Sequence, residues 1–178
     1  MRSAERGAAA LLLIAIVAVI TVGAATAALP IFDANERQQL TQAALADAAR
    51  AVAGYARARR CVVGSGSVPS HLPCPDAGAS EGQAAPSCAP VARGRLPWRT
   101  LGMAPLRDGD GECLWYERTP AGARVIAPGR ALSGQTRGAS PAAPVCGGHY
   151  GEADYLEAVG NDRSLVVGAA MLSVPSGC

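Results

Sequence analysis

From Ala8 to Phe32 the chain runs 25 residues without a charged side chain. As a helix rising 1.5 Å per residue this stretch reaches roughly 37 Å, enough to cross a hydrocarbon core of about 30 Å. Left in water, such a surface aggregates. It must be cut away, stay in lipid, or be covered by copies of itself. The chain beyond it is polar, rich in Gly and Pro, and holds all six cysteines.

The flanks set an orientation. Arg2 and Arg6 stand against Glu5 before the apolar run, and a positive flank keeps that end in the cytoplasm. Residues beyond the run then lie on the far side of the membrane. Cys61, Cys74, Cys88, Cys113, Cys146 and Cys178 agree with that side: an even number, all distal to the apolar segment, reads as disulfides in an oxidising compartment. Six cysteines allow 15 complete pairings, and the sequence does not choose among them. The net charge of +2 lacks the basic excess of a dedicated nucleic-acid binder, so nucleic acid is not an expected partner.

Three readings of the apolar run compete. One is a secretory signal peptide cut near Ala25-Thr26-Ala27, although the run exceeds the usual apolar length of such peptides. The second is a plain single-span anchor. The third starts from Arg6-Gly7 directly before the run. That arrangement resembles the leader of type IV pilins and of the pseudopilins of type II secretion. The resemblance implies cutting by a prepilin peptidase between Gly7 and Ala8, which leaves the helix on the mature protein. It also implies that Leu11, Leu12, Leu13, Ile14 and Val17 pack against neighbouring subunits. Major pilins carry Glu at the fifth mature position, here Leu12; the departure points to a minor or tip subunit. Pro30 fits the same resemblance as a helix-kinking residue.

Residues 33–59 are expected to continue as helix. Leu40, Ala44, Ala48, Val52 and Ala56 recur every four residues, with Leu45 and Tyr55 beside them. The stripe is mostly alanine and allows close approach of a sheet or another helix. Gly54 is a weak point, and Arg57, Arg59 and Arg60 suit a helix C-terminus.

At Cys61 the texture changes. Residues 61–151 hold 11 of the 13 prolines, so long helices are excluded there. Candidate strands are short: 95–101, 113–118, 124–127 and 164–172. Residues 77–90 and 132–144 read as loops, and 152–159 as a short helix. Aromatics are only 4% of the chain. Leu96, Trp98, Leu101, Trp115 and Tyr116 are therefore the expected aromatic-rich core, with disulfides as a supplement.

Leu72-Pro73-Cys74-Pro75-Asp76, the Gly94–Gly102 segment, Leu114-Trp115-Tyr116 and Asn161-Asp162-Arg163 occur in that order. The set is similar to a group of bacterial envelope proteins with pilin-like N-termini, and the likeness covers nearly the whole chain. It implies a pilin-like architecture, not an activity.

Two places offer metal ligands. Asp108, Asp110 and Glu112 put three carboxylates within five residues on a Gly-rich turn, a set that could contribute to a calcium site. The twelve-residue EF-hand pattern fails, and the competing reading is a turn leading into a strand. His71-x-x-Cys74 and Cys146-x-x-His149 have spacing that could ligate zinc, but an oxidising compartment favours disulfides for these cysteines. No nucleophile elbow, His-Glu-x-x-His or phosphate loop is present, so no catalytic set or other cofactor is expected.

The expected chain is α+β. A leader (1–7) precedes a transmembrane or filament-packing helix (8–32) and its amphipathic continuation (33–60). The helix packs on a small antiparallel sheet in a loop-rich, disulfide-bonded extracytoplasmic domain (61–178). The resemblance implies a minor pilin or pseudopilin-like subunit in the bacterial inner membrane. Its N-terminus would be cytoplasmic, its globular part periplasmic or extracellular, and its partners prepilin peptidase and other such subunits. The competing class is an exported or tethered binding module, with the calcium or zinc candidates as its site.

Overall fold

In the computed structural model, residues 33–61, 71–135, 146, 151, 155 and 162–173 are described. Residues 33–61 are helical and form α1. Charged pairs hold its outer surface in register: Arg37 with Asp33 one turn back at 3.5 Å, and Arg50 with Asp47. The chain divides into two units, Met1–Gln38 and Gln39–Cys178, and the remaining elements belong to the second.

The buried face of α1 is Thr41, Ala44, Leu45, Ala48, Ala49, Val52, Ala53 and Ala56. The expected stripe is corrected at one end, because Leu40 is 53% exposed. The reason is geometric. Four-residue spacing overshoots a 3.6-residue turn by about 40° per step, so a stripe followed from Ala56 back to Leu40 leaves the buried face.

The sheet is a four-stranded antiparallel meander: β1 (Ala92–Arg95), β2 (Trp115–Thr119), β3 (Gly122–Ala127) and β4 (Arg163–Val167), in that spatial order. Pro120 and Ala121 alone join β2 to β3, with Thr119 opposite Gly122. Gly122 is required there, since a Cβ would lie 2.3 Å from the Val167 carbonyl oxygen on β4. A four-residue helix, α2 (Ala169–Leu172), follows β4 and buries Leu172.

Two expected strands change. Residues 95–101 share only Arg95 with β1. The Leu96 N–H still reaches the Leu114 carbonyl at 3.1 Å, but beyond it the chain turns: the Leu101 N–H donates to the Pro97 carbonyl at 3.1 Å, and Met103 to Trp98 at 3.0 Å. Pro97 has no N–H for a ladder, and Gly102 closes the turn at φ +70°. The 164–172 strand stops at Val167, and the rest is α2.

The sheet buries side chains on both faces, although Val166 of β4 stays 63% exposed. On one, Leu114, Tyr116, Ala123, Val125, Ala127 and Val167 join the buried stripe of α1 in a single apolar cluster. On the other, Trp115, Ile126 and Tyr155 form a second cluster. Successive strand residues point to opposite faces, so Trp115 and Tyr116 cannot share a core. The single aromatic cluster expected from the sequence is therefore divided. Trp98 joins neither part and lies against Gly82, where a Cβ would come within 2.4 Å of its indole.

Candidate functional site

The Asp108–Glu112 turn is organised from its first residue. Asp108 is buried; its Oδ1 accepts the N–H groups of Asp110 and Glu112, both at 2.9 Å, and its Oδ2 accepts that of Gly129 at 2.8 Å. Burial outweighs these hydrogen bonds and raises the Asp108 pKa above the ordinary carboxylate value. Asp110 turns outward toward Arg130, 3.7 Å away. The Gly109 N–H donates to the Thr41 hydroxyl of α1 at 2.9 Å, fastening the turn to the helix. Its visible work is to bind loop backbone together. Among the described residues no three His, Cys, Asp or Glu side chains are placed to hold a metal ion.

The zinc-spaced pairs lose their thiolates. Cys74 is bonded to Cys88 and Cys113 to Cys146. His71 is buried, and His149 lies outside the described residues. Cys61 is also disulfide-bonded; Cys178 lies outside the described residues. Gly7, Ala8, Leu11, Leu12, Leu13, Ile14 and Val17 lie outside them too. Among the described residues no helix is long and apolar enough to cross a membrane.

Two of the ordered motifs meet at the edge of β1. Asp76 and Arg95 exchange backbone hydrogen bonds of 3.0 Å in both directions, which places the Leu72–Asp76 motif along the outer edge of β1. Gly94 permits this approach, because a Cβ there would stand 2.6 Å from the Asp76 carbonyl oxygen. The Asp76 carboxylate accepts the N–H of Gly78 at 2.9 Å and that of Gly82 at 2.7 Å. Gly82 in turn accepts the Arg99 N–H at 2.9 Å and packs on Trp98. The two motifs thus specify a turn-on-turn contact in which Asp76 and Gly94 are the irreplaceable parts.

Three features escaped sequence reasoning. The Arg95 guanidinium stands 4.4 Å from the ring centres of both Trp115 and Tyr155, and donates to the Cys113 carbonyl at 2.9 Å. Glu117 lies between its cross-strand neighbours Arg93 and Arg124, with closest contacts of 2.6 Å to each. Burial pushes the Glu117 carboxyl up, but the two guanidiniums outweigh it and hold the pKa below the usual value. Third, Arg118 contacts both sulfurs of the Cys74–Cys88 bond. Alternation along β2 would have placed Glu117 and Arg118 on opposite faces, but their partners come from other strands and loops. No protein-family model, curated protein or solved structure matches the chain.

Proposed function

We propose that the chain is a structural subunit of pilin or pseudopilin type, held in the bacterial inner membrane by residues 8–32 with residues 33–178 outside the cytoplasm. The carrying observation is continuity. The charge-free run is followed directly by helix 33–61, whose alanine face packs on a four-stranded antiparallel sheet. A subunit of that type needs an apolar helix that lipid or neighbouring copies can cover, joined to a domain stable outside the cell. The Cys74–Cys88 and Cys113–Cys146 bonds support an oxidising location for that domain. In this reading Gly7 and Ala8 flank the cut made by prepilin peptidase. Leu11, Leu12, Leu13, Ile14 and Val17 supply the packing surface, and Leu12 in place of Glu suits a minor subunit.

Intact mass and N-terminal peptide sequencing of the protein from its native host test this. The expected mature chain starts at Ala8 with a methylated amino group. A start at Ala28 would make the run a secretory signal and end the filament reading. An uncut Met1 would leave a tethered domain, also against it.

A further inference from the structure

We propose that Cys74–Cys88 is a thiol–disulfide exchange site, opened by a dithiol reductant and driven by the Arg118 guanidinium. Arg118 is a β2 residue opposite Ala92 of β1, and only 8% of it is exposed. Its Nη1 donates to Cys88 Sγ at 2.7 Å and to Cys74 Sγ at 3.3 Å. A neutral disulfide gains little from a cation at that distance. A thiolate gains much, because an opposite charge within about 4–6 Å stabilises the ionised form, more so where water is scarce. The cation therefore favours the product of reduction over the oxidised bond.

Access favours the same disulfide over Cys113–Cys146. Cys74 and Cys88 are both partly exposed. Cys113 and Cys146 are 2% and 6% exposed. Of these two bonds, charge and access coincide only at Cys74–Cys88.

The unequal distances give the reaction a direction. A thiolate of the reductant attacks Cys74 Sγ and forms a mixed disulfide. The Cys74–Cys88 bond breaks, and its electron pair leaves on Cys88 Sγ, the sulfur nearer Arg118. The reductant's second thiolate then attacks its own sulfur in the mixed disulfide and releases Cys74 as a thiolate, which takes up a proton. The dithiol is oxidised to a disulfide, and the chain gains two electrons. Opening this bond removes the covalent tie across residues 74–88 and leaves the Asp76–Arg95 backbone bridge as a separate, non-covalent tie at the β1 edge. The site stands whether or not the chain enters a filament.

The test uses the full-length oxidised chain in detergent, equilibrated at pH 7 with graded ratios of reduced to oxidised dithiothreitol. Samples are quenched in acid, alkylated and read by peptide mass spectrometry. Cys74 and Cys88 are expected to open at a reduced fraction about tenfold lower than Cys113 and Cys146, a gap of about 30 mV for a two-electron couple. Arg118→Met should move the Cys74–Cys88 midpoint about tenfold toward stronger reductant, and Arg118→Lys should retain most of the wild-type position. Opening of Cys113–Cys146 first, or a midpoint unmoved in Arg118→Met, overturns the proposal. If Arg118→Met does not fold, the reduced wild-type chain decides. Its Cys88 alkylation rate should titrate well below about 8.5, the value of an ordinary thiol. A midpoint at or above that value also overturns it.

Discussion

The two faces of the sheet are packed by opposite means. Toward α1 the contact is made of small methyl groups: Ala44, Ala48, Ala49, Ala53 and Ala56 against Ala123, Val125 and Ala127. Leu45, Leu114 and Tyr116 complete the same cluster, but at the alanines themselves no side chain can move aside for added volume. On the other face Arg95 lies against two aromatic rings that also touch each other, and Glu117 joins Arg93 to Arg124 across three strands. That face is built from long side chains whose charged ends are matched. The first face is intolerant of added volume and the second of lost volume or charge.

The largest effect is expected at Trp115, which is fully buried and carries the Arg95 stack. Trp115→Ala is expected to cost about 3–5 kcal/mol, because a large cavity forms and the cation loses one ring. A urea midpoint measured on the full-length chain in detergent reads this directly. Trp115→Phe keeps a ring and should lose clearly less. Equal losses for the two variants would mean that the stack with Arg95 contributes little.

On the alanine face the corresponding change is an addition. Ala48 is fully buried within the α1–sheet cluster, and Ala48→Leu should cost about 1–3 kcal/mol by forcing helix and sheet apart. The same urea titration applies. A neutral result would show free space under α1 and remove the contrast between the faces.

Much of the alanine face was legible in the sequence, because a helix writes its buried side there as a period. Strands β2 and β3 were legible for a related reason: apolar residues cluster in 113–118 and 124–127. β1 was not, since Ala-Arg-Gly-Arg carries no apolar alternation. It is a strand because β2 offers a partner and Gly94 admits the Asp76 backbone. The competing reading of the Asp108 segment as a turn came from its glycines, and the turn is there. That Asp108 gathers three backbone N–H groups depends on Gly129, 21 residues away. The pairings Cys74–Cys88 and Cys113–Cys146, like the Arg95 stack, are decided by which loops meet after the sheet forms. No local spacing encodes that.

Glu117 exposes the charged face to a test by pH. Its carboxyl pKa is lowered in the fold and returns to an ordinary value of about 4.3 on unfolding. Its stabilisation is therefore complete above that unfolded value and is lost as pH falls through the folded one. Asp108 has the opposite sign: its raised pKa means that it opposes folding increasingly as pH rises above the unfolded carboxylate value. Glu117→Gln should cost about 1–2 kcal/mol at pH 7, a modest figure because Arg93 and Arg124 are 33% and 39% exposed. Between about pH 5 and 3, around the unfolded carboxylate value, the wild-type advantage over Glu117→Gln should shrink. A constant difference across that range would mean that the Arg93–Glu117–Arg124 ladder is not what stabilises this face.

The smallest effect is expected on the side of α1 turned away from the sheet. Gly54 is exposed within the helix, and a Cβ built there meets nothing within 4 Å. Gly54→Ala should stabilise the chain by about 0.5–1 kcal/mol, since alanine restricts the unfolded backbone and suits a helix better. The contrast with Ala48→Leu is then internal to one helix. Added carbon destabilises on the face that touches the sheet and stabilises on the face that does not. If Gly54→Ala instead lowers the urea midpoint in the isolated chain, the outer side of α1 is covered. The alanine contact would then be one of two helix contacts, not the only one.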